Sequence, residues 1–357
     1  EKGKLEDWIN ESEEHRLLFC KIKKQLSINE IRNYLQTDVE DAWKKVREKT
    51  FGAPPVRPRI RPKWLKYAAV VLPVLLSITL WYTWKEEMKN KQATVARLNP
   101  VLTLDNGEKY QLDPEEQTEI YVNEEVKAYQ AGGGLIYDTT ARQEENKYNR
   151  IEVPRGSEYW IVLPDGTRVW LNAETELTYP TVFGKGERKL MLKGEACFEV
   201  VTDTARPFIV ESFYNRVEVL GTRFNVSAYT GKSAVKTTLL RGKVKVSNRK
   251  GQLVLSPGEQ AVCLEEEIEK CEVDARAVAA WVDGTFEFEN MSLGEITDQL
   301  GRWYDVDFVF ADQQLKAITF TGAATRYREL DFVLRMLEEL ARVRFQLENK
   351  TIRVSKI

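Results

Sequence analysis

Histidine is almost missing from this chain of 357 residues: there is one, His15, near the start. Beyond it no His-based catalytic triad and no histidine zinc site can be assembled. Cysteine is scarce too, with four in all, so the chain is no disulfide scaffold. Excess charge is lacking as well. The 53 Lys and Arg stand against 55 Asp and Glu, a net charge of -2, which excludes a large electrostatic nucleic-acid surface and with it direct nucleic-acid binding. Long hydrophobic runs are absent, with one exception.

That exception is YAAVVLPVLLSITLWYTW, from Tyr67 to Trp84. An uncharged run of about 18 residues is just long enough to cross a bilayer's ~30 Å hydrocarbon core as a helix. It begins well inside the chain and has no A-x-A-type cleavage site, so it is not a signal peptide. Arg57, Arg59, Arg61, Lys63 and Lys66 crowd its N-terminal side, while Lys85, Glu86, Glu87, Lys89 and Lys91 mix signs on the other. The positive side is the cytoplasmic one. Trp64, Trp81, Tyr82 and Trp84 fall where interfacial aromatic belts belong. The reading is a single-pass membrane protein with its N-terminus cytoplasmic and most of its length beyond the membrane.

Residues 1–52 carry apolar side chains at helical spacing, among them Trp8, Leu17, Leu18 and Trp43, on short amphipathic helices. The chain opens on Glu1 rather than Met, and this helical region reads as lacking its beginning. About 50 residues bury little alone, so the apolar stripes call for a partner, and Trp is a residue enriched at interfaces. Residues 53–66, with Pro54, Pro55, Pro58 and Pro62, form a stiff basic tether into the span at 67–84.

After the span the apolar period changes from 3.6 to 2. Val101 to Leu104, Asp105-Asn106-Gly107, then Tyr110 to Leu112 read as a hairpin, and WIVLPDGTRVWLN repeats the design around Asp165-Gly166. Further alternating strands define an all-β domain over 95–275, sandwich-like or a wound array of hairpins. Residues 281–357 revert to helix and strand. Ser292 and Glu295 make a capping box before a helix with Leu293, Ile296, Leu300 and Trp303; a second strand and helix follow from Ile318. Two βαβ-like halves predict a small α+β domain of the split βαβ type.

Little in the outer part carries chemistry. Asp165, Glu174, Glu176, Glu195 and Glu199 are available as paired carboxylates for a glycosidase, but acidic residues at this density read as solvated faces. Cys263 and Cys271 flank a Glu-rich reversal near Glu267, where they either face each other as a disulfide or remain free small hydrophobes. Gly221, inside EVLGTRFNVSAY, reads as a bulge or close backbone approach, and the hydroxyl of Thr222 is placed to attack its carbonyl. No cofactor and no metal site is expected. Exposed Tyr159, Trp160 and Trp170 would be the platforms of an alternative, a membrane-anchored carbohydrate-binding module, although strand aromatics at such spacing are more often core.

VPRG (Val153 to Gly156), LPDGTRVWLNAETEL (Leu163 to Leu177), LKGEACFEV (Leu192 to Val200), RPFIV (Arg206 to Val210), VLGTRFNVSAY (Val219 to Tyr229), TLLRGKVKV (Thr238 to Val246) and LSPGEQAV (Leu255 to Val262) follow one another in order. Together they resemble the FecR family of membrane-spanning sigma-factor regulators, in its Bacteroidetes form. FEFENMSLGEITDQLGRWYDVDFVF is similar to the secretin and TonB short N-terminal domain appended to that family, and LEDWINESEEHRLLF resembles its cytoplasmic anti-sigma region. Cys197 departs from the pattern, since the family usually has an aromatic residue there.

The resemblance implies a relay and no enzyme. Helices bearing Trp8, Leu17, Leu18 and Trp43 would hold an extracytoplasmic-function sigma factor, and the periplasmic part would sense the signalling domain of a TonB-dependent outer-membrane transporter loaded with its substrate. Release, or cutting by a site-2-type intramembrane protease, would free the sigma factor at the inner membrane. The resemblance also implies self-cleavage between Gly221 and Thr222 by an N-to-O acyl shift. The exposed edge of the C-terminal domain, around Ile318 and Phe320, is expected to pair with the transporter's domain by β-addition.

Overall fold

In the strands from Val101 onward, buried and open positions alternate, as in Tyr148–Val153 and Tyr159–Val162, so each strand offers one apolar face to a common interior. The computed structural model describes residues 98–113, 116–121, 127–137 and 147–357, which fall in one compact unit, Asn90–Ile357. The segments read as cytoplasmic helices, tether and membrane span, with Trp8, Leu17, Leu18 and Trp43, lie outside the described residues. Among the described residues no helix is long and apolar enough to cross a membrane.

The β domain is a two-sheet sandwich. One sheet runs Lys109–Gln111, Val101–Thr103, Tyr148–Val153, Thr175–Pro180, the first half of Arg188–Glu199, Phe208–Glu211, Arg216–Val219, Val244–Ser247 and Gln252–Leu255. The other begins at Thr118–Tyr121 and passes through Lys127–Ala131, Gly134–Tyr137, Tyr159–Val162, Arg168–Leu171, the second half of Arg188–Glu199, Arg223–Ala228, Val235–Arg241 and Glu259–Cys263 to Ile268–Glu272. The long strand serves both because it bends at Gly194, where φ is +100°. A side chain there would also meet the Glu174 carbonyl oxygen at 2.6 Å, so only glycine fits. Leu102, Ile151, Leu177, Phe198, Phe208 and Phe224 fill the space between the sheets.

The two hairpin turns are alike down to their hydrogen bonds. Gly107 N–H donates to Leu104 and Leu104 N–H to Glu108; Gly166 N–H donates to Leu163 and Leu163 N–H to Thr167. Gly221 is not within a strand. It sits in the connection between Arg216–Val219 and Arg223–Ala228, where the chain passes from one sheet to the other, and the register shift falls just beyond, at Arg223 and Phe224.

Between the β domain and the last strands lie helix α1 (Ala275–Ala279), capped by Asp274, and a 3-10 turn, Ala280–Asp283, closed by Gly284 at φ 73°. The C-terminal domain then follows with α2 (Leu293–Tyr304) and α3 (Leu330–Ala341). The capping box forms as expected: Ser292 Oγ accepts from Glu295 N–H at 3.2 Å, and the Glu295 carboxylate accepts from Ser292 N–H at 3.4 Å. The strands, however, do not build the single sheet of a split βαβ. Thr285–Ser292 pairs only with Thr319–Thr325, while Asp307–Phe310, Thr351–Lys356 and Val343–Glu348 form a separate three-stranded sheet. The reason is the breadth of the buried helix faces. On α2 the set Leu293, Ile296, Leu300, Trp303 and Tyr304 is wider than one small sheet covers, and both sheets share its core with Val333, Leu337, Val343 and Ile352.

Candidate functional site: a polar junction between the β domain and the C-terminal domain

Strand alternation decides which side chains reach the outer surface of the second sheet. Ala196, Phe198, Phe224 and Val226 point into the sandwich, so Glu195 and Asn225 point away from it. There the Glu195 carboxylate accepts from Asn172 Nδ2 at 2.7 Å and from Asn225 Nδ2 at 3.0 Å. The Tyr229 hydroxyl donates to the Ala173 carbonyl at 3.0 Å and lies 3.4 Å from the same carboxylate. Burial pushes the Tyr229 phenol well above its ordinary pKa, and the neighbouring Glu195 charge adds to the effect.

Onto this surface the C-terminal domain lowers Arg326, whose side chain is 1 % exposed. Its guanidinium donates to Glu158 at 3.2 Å, to the Trp281 carbonyl at 3.0 Å and to Asn172 Oδ1 at 2.7 Å. It lies 3.7 Å from the centre of the Trp303 ring, within cation–π range. Burial lowers its pKa, against the opposing pull of the Glu158 and Glu195 charges. A desolvated cation costs several kcal/mol, roughly, unless it is paired, and here both terminal nitrogens are met by the β domain and the linker, while Nε has no partner. Around it, Trp281 Nε1 donates to Asn225 Oδ1 at 3.1 Å, Tyr327 donates to Glu158 at 2.9 Å, and Arg302 stacks 3.9 Å from the Tyr229 ring centre.

A second fastening comes from VPRG. Arg155 donates to the carbonyls of Gly301 at 2.9 Å and Val306 at 2.6 Å, and pairs with Asp307 at 2.8 Å; Gly156 N–H donates to the Arg302 carbonyl at 2.8 Å. The Gly301 carbonyl, which also accepts from Val306 N–H at 3.1 Å, lies in the last turn of α2 and Val306 just beyond it, at the helix end that favours a cation. Beyond Arg326 the junction opens into a cleft of about 1150 Å³ with Ser227, Gln260, Trp281 and Met291 in its walls. Lys232 pairs with Asp298 and Lys236 with Glu295 at its rim.

The residues singled out from sequence fall in different places. Thr222 is buried and its hydroxyl donates to the Lys243 carbonyl at 3.0 Å; a side chain on Gly221 would collide with Thr202. Phe320 is a core residue, not an exposed contact, and Ile318 is half-buried just before its strand, so this edge offers a partner main chain rather than these side chains. Cys263 and Cys271 do not face each other. Cys263 is opposite Ile268 and buried, Cys271 is opposite Gln260 and exposed, because the reversal is a tight Leu264-to-Glu267 turn. Tyr159 is buried, Trp160 lies across Gly134, and Trp170 sits beneath Arg223. The five carboxylates are not paired with one another: Asp165 is bound by Arg188, Glu176 by Lys193, Glu199 by Arg241 and Arg168, and Glu195 belongs to the junction. Among the described residues no group of three or more His, Cys, Asp or Glu is placed to hold a metal. Nothing in the sequence marks Arg326 or Trp281 for this role; both asparagines stand within the quoted motifs, Asn225 at an outward position of its strand and Asn172 just past the end of Arg168–Leu171.

Comparison with known proteins places these two domains. Residues 149–245 match the model of the FecR protein family, and residues 285–354 match that of its C-terminal domain, FecR, C-terminal. Two crystal structures, at 1.65 and 2.50 Å, described as a candidate anti-sigma factor from Parabacteroides distasonis ATCC 8503, are similar to this chain with 32% sequence identity and a TM-score of 0.55. The likeness covers 58% and 59% of this chain and 99% of each of those. No curated protein matches. The chain belongs to the FecR family of anti-sigma regulators.

Proposed function

We propose that this regulator holds an extracytoplasmic-function sigma factor through its N-terminal helices, crosses the inner membrane once at 67–84, and relays the substrate-loaded state of a TonB-dependent outer-membrane transporter. The observation that carries the reading is the junction. Polar residues from VPRG, LPDGTRVWLN, LKGEACFEV and VLGTRFNVSAY are used to fasten the C-terminal domain, so a partner gripping that domain acts on the whole outer part. A ligand shifts a distant equilibrium only as far as it binds one state better, and a firmly joined receiver lets that difference reach the far end of the chain.

Main-chain groups at an edge of the C-terminal domain receive the transporter's signalling domain by β-addition. Self-cleavage belongs to the same reading: the Thr222 oxygen attacks the Gly221 carbonyl, the amide nitrogen leaves as an amine, and water hydrolyses the ester. For this the hydroxyl must give up its bond to Lys243. A site-2-type protease completes release within the membrane. Co-purification of the full chain with the extracytoplasmic-function sigma factor of the same cell tests the proposal. A stable 1:1 complex that is lost on Trp8→Ala with Trp43→Ala supports it; a folded chain that binds no sigma factor contradicts it.

A further inference from the structure

The C-terminal domain has several strand edges, and they differ in how they are protected. On Val343–Glu348 the Phe345 N–H is taken by Glu338 at 2.7 Å, and Arg344 and Glu348 add charge. Asp307–Phe310 is short and its Asp307 is held by Arg155. The outer side of Thr285–Ser292 carries Glu287 and Glu289 and packs near α1. Thr319–Thr325, TFTGAAT, has none of these devices: no charge, no proline, and five exposed positions. Natural proteins blunt such edges unless they are used.

Its hydrogen-bonding side can be worked out. Arg326 N–H donates to Gly284, and Leu293 N–H donates to Ile318, which fixes the alternation on both sides of the bulge between Phe288 and Met291. Phe320, Gly322 and Ala324 therefore bond inward to Thr285–Ser292, and Thr321, Ala323 and Thr325 turn their main-chain groups outward. Only the Thr325 carbonyl is engaged, by Arg328 N–H at 3.3 Å.

We infer that the occupant of this edge is a second copy of this chain, paired antiparallel about Ala323. A two-fold axis there sets Ala323 against Ala323 of the other copy, and Thr321 against Thr325. Ala323 exchanges both its bonds with its copy, and each Thr325 N–H meets the opposite Thr321 carbonyl. On the core side Gly322 meets Ala324, so no side chain larger than a methyl stands in the way. Self-pairing brings like against like, and among the edges compared above only this strand has no charge to confront. A seven-residue edge buries far less than the ~1,200 Å² of stable complexes, so the pairing is weak and best read by crosslinking. It occupies an edge that a transporter domain could also use, yet the inference does not depend on that reading.

The test uses the full chain in detergent, with Cys20→Ser and Cys271→Ser to remove competing thiols, and mild oxidation without any added protein. A hydrogen-bonded antiparallel pair holds its Cα atoms ~5.5 Å apart, within disulfide reach, so Ala323→Cys should crosslink about ten-fold more than Glu287→Cys. Thr321→Cys or Thr325→Cys alone should stay monomeric, and the two mixed should crosslink. Ala323→Pro, which removes an outward N–H and leaves the inward bonds, should abolish crosslinking in that mixture while near-UV circular dichroism is unchanged. Crosslinking of Ala323→Cys no better than Glu287→Cys, a mixture no better than either chain alone, or pairing that appears only when a transporter domain is added would each overturn the inference.

Discussion

Arg188 and Arg326 are the largest fully buried side chains of the described residues, and each is held differently. Arg188 serves the β domain alone: it pairs with Asp165 at 2.8 Å, with side-chain exposures of 1 % and 5 %, and donates to the Val201 and Arg206 carbonyls. Asp165→Ala leaves that cation buried without its counter-charge and should cost about 3–5 kcal/mol in urea unfolding. Thiols give a second residue-scale check. Burial pushes Cys197 up to about 12 and Cys263 up to about 11, whereas Cys271 is exposed. In the native protein at pH 8 a thiol reagent should therefore label Cys271 and spare Cys197 and Cys263, as peptide mapping would show. Asn172 and Asn225 were legible as parts of motifs but not as parts of a junction. An asparagine facing outward from a strand, or standing just past its end, looks solvated until its partner is known, and here the partner, Arg326, is 154 residues from Asn172.

At the scale of elements, local chemistry was legible and long-range pairing was not. The Asp-Asn-Gly and Asp-Gly turns formed the same hairpin, and Ser292 with Glu295 formed the capping box, because each is decided within a few residues. The division of the C-terminal strands into two sheets and the opposed placing of Cys263 and Cys271 depend on register and packing, which periodicity does not report. The cap yields a pH prediction. Burial works against the Glu295 carboxylate, but the Ser292 hydrogen bonds and the Lys236 charge outweigh it and hold its pKa below 4.5. A carboxylate whose folded pKa is depressed adds stability above its unfolded value, and loses it as pH falls through the folded one. The deficit of Glu295→Gln relative to the parent should thus be full at pH 7 and shrink below pH ~4. Ser292→Ala should cost about 1 kcal/mol at pH 7.

For the whole molecule, the sequence marked a β domain and a C-terminal domain, and the structure joins them. The sandwich and the C-terminal domain have separate cores, and either could have hung from a flexible linker. Instead Arg155 closes the end of α2, Trp281 lies on Asn225, and Arg326 reaches across to Glu158 and Asn172. The central claim is that this polar junction makes the C-terminal domain and the β domain one mechanical unit. Hydrogen exchange of the full chain and its Arg326→Ala variant, read over residues 285–354 and over the β domain, tests it most directly. The account predicts that the substitution lowers protection of 285–354 far more than that of the β-domain core, by about 3 kcal/mol or more, as a buried charge cluster is broken. Equal protection of 285–354 in the two proteins would contradict it.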